Sequence, residues 1–312
     1  MKLKQIKYTT ISVIDNQYVP ETIVFNLQDI NLFIGLNGSG KTKALTIINN
    51  IKNMILKSDS SVNLINNSFL FELTFEIDLQ YKAILLLEIK DGEIINRNYV
   101  IADIPDMMDF QNVYYHYFKK INWINFEECY LDSEELRGFK NECLTDINKI
   151  LPLLDIKDIK IPYNTTSLDF INSKNKNVID TVLSKAEYKI ISFIIKLNCY
   201  LYKYNNKIII IDDFCEGLDF EKAKLLTDLI LEKSKENNIQ FILNTNDRFV
   251  INKIPLENIT VAHNENGNIS YYDYQNSKEI FDDFKYTGLS NFDMLSTQFY
   301  LEGFLDNTIN PN

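Results

Sequence analysis

Arginine is almost missing from this chain, with Arg97, Arg137 and Arg248 the only three. The guanidinium fork is the preferred partner of phosphates and base edges, so its scarcity argues against sequence-specific reading of DNA. A formal charge of −11 likewise argues against a strong grip on a nucleic-acid backbone over the whole surface, and leaves only a local basic patch open. Histidine is scarcer still. With only His116 and His263 present, histidine-based nuclease chemistry within this chain is disfavoured. Cys129, Cys143, Cys199 and Cys215 show no Cys-x-x-Cys spacing, so they read as buried thiols rather than a zinc site. No stretch approaches the roughly 18 to 20 apolar residues a membrane span needs. The N-terminus moves straight into alternating polar and apolar residues without a secretory signal, so the expected location is the cytosol. Neither an internal repeat nor a long coiled-coil insertion is visible.

What is present is apolar enough to fold. Hydrophobic residues make up 46% of the 312 positions and aromatics 12%, which excludes a disordered chain and allows a full core. Ile30 to Ile34 is a short apolar run ending at a glycine. Beyond it Ala44, Ile47, Ile48, Ile51 and Ile55 repeat at helical spacing, giving strand, loop and helix in succession. From Phe71 to Leu79 apolar and polar residues alternate strictly, and a second strand runs to Asp91 and Gly92, predicting a half-exposed antiparallel sheet. Residues 132 to 154 read as helical and the polar stretch 164 to 177 as a mobile loop. Ile190, Ile191, Ile194, Leu197 and Leu201 then mark a helix. The β-branched run Ile208 to Ile211 suits a strand buried on both faces, a helix covers roughly 220 to 236, and a strand spans Ile239 to Leu243. The expected fold class is α/β, with a mostly parallel sheet, an antiparallel β subdomain and an inserted helical lobe. The expected organisation is a single domain over residues 1–312, with a nucleotide-binding core at 1–52 and 180–312 and inserted lobes at about 53–179.

Three segments carry the chemistry. Gly35, four further residues, then Gly40, Lys41 and Thr42 match the phosphate-binding loop, with Asn37, Gly38 and Ser39 inside it. Its glycines let successive backbone N–H groups converge on phosphate oxygens, Lys41 reaches the β and γ phosphates, and the Thr42 hydroxyl serves Mg²⁺. The helix that follows points the positive end of its dipole at the same anion. At the carboxyl end of the Ile208 strand stand Asp212, suited to hold magnesium through water, and Asp213, suited to position or deprotonate an attacking water. Leu183 to Glu187 places Ser184 just ahead of a helix, where it reads equally as a helix cap or, with the helix N-terminus, as an anion donor.

Phosphate loop, a Leu-Ser-x-Gly-Glu-like segment at 183–187, helix, hydrophobic strand with an acidic pair, then Gly217, Leu218 and Asp219 resemble the ordered motifs of ABC-type P-loop ATPases. Ser184 precedes Asp212 by 28 residues, room for one helix and a turn. The start from Ile30 to Thr42 and the segment Asn244 to Leu256 look most like the soluble RecF, SMC and OLD-like branch, whose bacterial members are often found in defence against phage. The resemblance covers roughly residues 1–52 and 180–260. It implies ATP and Mg²⁺ as ligands and a homodimer in which ATP is sandwiched between the phosphate loop of one subunit and the Ser184 segment of the other, with Asp219 at the subunit contact. Three departures stand out: Ala186 replaces the signature glycine, Asp213 replaces the usual glutamate and is one methylene shorter, and Asn246 stands where a switch histidine is common. An asparagine can hydrogen-bond a phosphate, as expected here of Asn246, but cannot change charge near neutral pH.

The last two departures predict slow hydrolysis, with ATP holding the dimer closed. Only 66 residues follow Asn246, too few for the appended nuclease of OLD proteins, so the effector, a nuclease or other toxin, is expected to be separately encoded. The function this implies is a switch ATPase in a bacterial anti-phage defence complex. A RecF-like DNA-repair clamp binding nucleic acid directly is the alternative. A transporter subunit ranks below it, since no glutamine loop is assignable between Gln80 and Gln111 and no membrane partner is expected. Arg248 is open between a phosphate or subunit contact and a plain surface residue. The aromatic run 114–118 is read as packing or a partner surface rather than base stacking, His116 as structural, and Lys174 and Lys176 as a solvated loop.

Overall fold

A computed structural model describes residues 2–14, 17–56, 68–77, 81–90, 93–102, 115–129, 131, 141–154, 156–160, 169–172, 177–178, 183–205 and 207–303. The chain forms two compact units, Met1–Lys119 with Ile254–Asn312, and Lys120–Lys253.

In the first unit, β1 (Lys2–Ile14), β2 (Gln17–Asn26), β4 (Ser68–Ile77), β5 (Tyr81–Lys90) and β6 (Glu93–Ala102) form an antiparallel sheet of order β2-β1-β4-β5-β6. The alternation seen in the sequence sets its buried face: Phe69, Phe71, Leu73 and Phe75 point inward with Ala83, Leu85, Leu87 and Ile89, while Leu70 is exposed. Leu3 and Ile6 are both buried although they lie three positions apart, a step that strict alternation would put on opposite faces. A bulge between Leu3 and Gln5 restores the alternation. Beside this sheet, β3 (Ile30–Ile34) pairs parallel with β13 (Ile259–Glu265), which pairs antiparallel with β14 (Asn268–Asp273). The β13–β14 hairpin turns through Asn266 and Gly267, whose φ angles of 55° and 94° are those a two-residue I′ turn demands. Helix α1 (Lys41–Leu56) follows β3 and buries Ala44, Leu45, Ile47, Ile48, Ile51, Met54 and Ile55, the face its spacing predicted.

In the second unit, β7 (Ile121–Asn125), β11 (Ile208–Asp212) and β12 (Gln240–Asn244) run parallel in the order β12-β11-β7. Every residue of β11 and β12 is buried, as a strand covered on both faces requires. Helices α3 (Lys185–Asn198) and α4 (Phe220–Asn237) lie near the boundaries expected for them, and α3 runs on into a π-helical turn, Cys199–Lys203. Helix α2 (Asn141–Ile150) and the 3-10 turn Leu151–Leu154 fill part of the span expected to be helical, while residues 132–140 lie outside the described ones. Pro152 lacks the N–H that α-helical continuation would use.

The stretch 164 to 177 departs from its expected character as a loop. Where it is described it holds β9 (Asp169–Asn172) and the start of β10 (Asn177–Val178), which with β8 (Ile156–Lys160) make an antiparallel sheet of order β10-β9-β8. The reason is local: Phe170 and Ile171 are apolar residues within a polar stretch, and Phe170 pairs with Ile159 on one side and Val178 on the other. Lys174 and Lys176 lie outside the described residues. Among the described residues no helix is long and apolar enough to cross a membrane.

Asp146 of α2 and Lys233 of α4 form an ion pair at 3.0 Å with both side chains buried, and the Tyr202 hydroxyl lies 3.3 Å from the same ammonium. Burial disfavours the charged lysine. The hydrogen bond and charge of Asp146, with Tyr202, outweigh it and hold the Lys233 ammonium above the usual lysine range.

Candidate functional site: a phosphate loop and an acidic strand end

The glycine-rich loop in the first unit departs from β3 at Gly35, and its geometry depends on glycine at two positions. A β-carbon at Gly35 would lie 2.3 Å from the Ser39 hydroxyl oxygen and 2.5 Å from the Ala262 carbonyl. At Gly40, φ is 105° and a β-carbon would lie 2.8 Å from Ile269. Ser39 N–H donates to the Leu36 carbonyl at 3.0 Å, closing a turn at the loop's tip, where Leu36, Asn37 and Gly38 are exposed. The Lys41 side chain is buried and folds back across the loop, donating to the carbonyls of Gly35 at 2.8 Å and Leu36 at 3.3 Å. Helix α1 starts here with no acidic residue in its first turn, so nothing on its own first turn cancels the positive end of the dipole. Thr42 is exposed beside Lys41. The Ser39 hydroxyl is buried and finds no hydrogen-bond partner among the described residues. A cationic, close-backed loop at a 16-residue helix, holding an unsatisfied hydroxyl, fits the phosphates of a nucleotide.

The acidic pair lies in the second unit. Asp212, the last residue of β11, is buried, and one carboxylate oxygen accepts from the Asn244 amide at 2.6 Å. The Asn244 side-chain oxygen Oδ1 in turn accepts from the Asp213 N–H at 2.5 Å, so one fully buried side-chain amide fixes both aspartates. No motif in the sequence marks Asn244, one of two polar residues, with Gln240, that bound the buried strand β12. Asp213 is half-buried and adopts φ 54°, in the left-handed region that side chains rarely occupy and that Asp and Asn tolerate best.

Around this pair the backbone is tightly held. Phe214 N–H donates to the main-chain carbonyl of Asn244 at 2.9 Å, the Thr245 hydroxyl donates to the Phe214 carbonyl at 2.7 Å, and Asn246 N–H donates to a Glu216 carboxylate oxygen at 3.0 Å. Asn246 is half-buried and belongs to the same small network as Asp212 and Asp213. Glu216 is a further carboxylate that the motif series passed over. Asp247 caps the short helix α5 (Arg248–Lys253) by accepting from the N–H groups of Phe249 and Val250 at 2.9 Å. Arg248 is exposed, with its guanidinium 5.7 Å from the Phe249 ring centre. Among the described residues no three or more His, Cys, Asp and Glu side chains form a metal-binding group. Magnesium does not require one, since it binds through one or two carboxylates plus phosphate and water.

Ser184 is the N-cap of α3. Its hydroxyl accepts from Glu187 N–H at 3.3 Å and the Glu187 carboxylate accepts from Ser184 N–H at 2.7 Å, a complete capping box on an exposed helix end. The capping reading of this residue therefore holds, and an exposed cap leaves the anion reading open. Asp219 caps α4, accepting from Lys222 N–H at 3.1 Å and pairing with the Lys222 ammonium at 2.7 Å. That hydrogen bond holds its carboxyl below the usual range, at an exposed position where solvent screens the effect. Cys129, Cys199 and Cys215 are buried and form no disulfide among the described residues, whereas the Cys143 side chain, Gln80 and Gln111 lie outside the described residues. His116 is exposed and its ring meets Tyr115 edge-on, while Tyr117 and Phe118 pack against Phe75 in the core.

The mixed α/β architecture, with parallel and antiparallel sheets and this loop ahead of a helix, is similar in fold to SMC head domains. In particular it is similar to the SMC head domain from Thermotoga maritima, at 18% identity and a TM-score of 0.58, covering 88% of this chain and 99% of that one. It is also similar to an Smc head solved bound to the C-terminal winged-helix domain of ScpA, at 12% identity and a TM-score of 0.57, covering 89% and 99%. The likeness is one of fold. No family model matches the chain, and no curated protein matches it.

Proposed function

We propose that this chain is one ABC-type ATPase domain that binds Mg·ATP, hydrolyses it slowly, and acts as a dimeric switch for a separately encoded effector in a bacterial anti-phage defence complex. The observation that carries the reading is the phosphate loop itself, with Lys41 buried across two loop carbonyls and α1 directly behind it. In this reading Asn37, Gly38, Ser39 and Gly40 wrap the phosphates and Lys41 exchanges its carbonyl partners for β and γ oxygens. Thr42 and Asp212 hold the metal. Magnesium, when bound, neutralises the charge that develops on the transferred phosphoryl group. Asp213 aligns the attacking water and accepts its proton, and Asn246 hydrogen-bonds the γ-phosphate. Ser184 of the second copy completes the site and Asp219 lies at the contact between copies.

Slow turnover follows from two features. The Asp213 carboxylate sits on a short side chain whose left-handed backbone is fixed by Asn244, and Asn246 cannot shuttle a proton. Nucleotide then acts mainly by favouring the paired state, to the extent that it binds that state better than the open one. Partnership with a separate protein is supported by the solved Smc head that carries a domain of ScpA. The test is sedimentation of wild type and Lys41→Ala with and without Mg·ATP. Wild type is expected to pair only with nucleotide, and Lys41→Ala not at all. A wild-type protein that stays monomeric at saturating Mg·ATP would sink the switch. Affinity capture with wild type but not Lys41→Ala is expected to recover the effector. Salt-sensitive DNA binding by the isolated protein would point instead to a repair clamp.

A further inference from the structure

The hairpin β13–β14 touches the phosphate loop at three successive places. The Ala262 carbonyl closes off Gly35, the Asn264 side-chain amide donates to the Gly38 carbonyl at 2.9 Å, and the Tyr271 hydroxyl donates to the Gly40 carbonyl at 3.0 Å with Ile269 against the same glycine. A trans peptide is planar, so its N–H points opposite to the preceding carbonyl. Anchoring the Gly38 and Gly40 carbonyls to the hairpin therefore turns the N–H groups of Ser39 and Lys41 to the other side of the chain, away from it. There the Ser39 N–H meets the Leu36 carbonyl at 3.0 Å and the Lys41 N–H opens the first turn of α1. The loop's donors are aimed by what holds its acceptors.

The two anchors differ in stiffness. Tyr271 is 8% exposed, and its ring meets Phe25 and Phe33 edge-on at 4.9 and 6.3 Å. Burial also pushes its phenol well above the usual tyrosine range, so it remains a donor at any working pH. The Gly40 carbonyl already accepts the first α1 bond, from Ala44 N–H at 3.1 Å, so the Tyr271 bond is an addition to the helix rather than part of it. Asn264 is exposed but braced, its carbonyl oxygen accepting from Gly267 N–H at 2.9 Å at the hairpin turn.

We propose that Tyr271 and Asn264 are positioning residues for the nucleotide: the hairpin is a template that holds the phosphate loop in its binding shape before ligand arrives. The inference rests on the reading of this loop as a nucleotide site, and the experiment separates the two. Wild type, Lys41→Ala, Tyr271→Phe, Asn264→Ala and the double variant are titrated calorimetrically with Mg²⁺ plus ATP or a non-hydrolysable analogue, alongside melting of the nucleotide-free proteins. Tyr271→Phe keeps the ring and the fold, so its melting temperature is expected to stay within about 4 °C of wild type. Its affinity is expected to fall about five- to tenfold, the worth of one buried hydrogen bond. Asn264→Ala should lose less because water competes for its bond, and the double variant should be weakest. Variants that bind as wild type does, or that lose melting temperature without losing affinity, overturn the template while leaving the nucleotide site standing. If wild type takes up neither nucleotide, both readings fall.

Discussion

At the scale of single residues, Asp213 and Lys233 separate chemistry from stability. Asparagine tolerates the left-handed backbone as aspartate does, so Asp213→Asn is expected to fold normally and to cut steady-state phosphate release by about a hundredfold, the size of a lost general base. Asp213→Glu supplies the missing methylene but forces a longer side chain into that region at a cost of about 1 kcal/mol. Faster phosphate release with a lowered unfolding midpoint is the expected outcome, and a slower variant would show that reach is not what limits turnover. Lys233→Met leaves the buried Asp146 with only the exposed Lys149 ammonium, 3.8 Å away, and is expected to cost about 3 kcal/mol by urea unfolding. Since the folded state holds the Lys233 proton more tightly than the unfolded chain, the contribution of that pair is complete below lysine's ordinary value. It is lost as pH rises through the raised one. Wild type should therefore lose stability more steeply than Lys233→Met in alkaline solution above about pH 10.4.

At the scale of elements, Ser184 is a cap whose second role is open to test. Ser184→Ala should lower stability by about 1 kcal/mol through loss of the cap. Ser184→Asp should keep the cap, because aspartate accepts the same N–H, yet place a negative charge where the partner's γ-phosphate is proposed to lie. Retained melting temperature with loss of Mg·ATP-dependent pairing is the expected result, measured by sedimentation. Elements with strong local patterns were readable from the sequence alone: β3 and α1 around the glycines, β11 from four successive isoleucines, and α3 from its serine cap and apolar spacing. Others were not. Strand β7 is five residues with no alternation, and it becomes a strand by pairing Ile121 to Asn125 with Ile208 to Asp212, a contact between segments over eighty residues apart. The β13–β14 hairpin did carry a local mark, Asn266 and Gly267 between two strand-forming runs. Its contacts with the loop depend on tertiary packing and have no signature in sequence. Asn244 was invisible for the same reason, since its value lies in the two aspartates that its fold neighbours bring to it.

At the scale of the whole molecule, a nucleotide shared between two copies makes a prediction that neither copy makes alone. Mixing Lys41→Ala with Ser184→Asp yields mixed pairs in which one site combines an intact loop with an intact Ser184. The mixture should therefore regain phosphate release that both parents lack, and no regain on mixing would count against a site built from two chains. A probe of opening is already present in the chain. Cys215 lies in the turn between Asp213 and Leu218 and is fully buried. Burial, reinforced by the charge of Asp247 and opposed by Lys189, keeps its thiol protonated. Alkylating reagents need an accessible thiolate, so Cys215 should be modified only during excursions that open this turn. Its labelling rate, followed by peptide mass spectrometry, becomes a clock for breathing of the acidic strand end, and Mg·ATP should slow that clock.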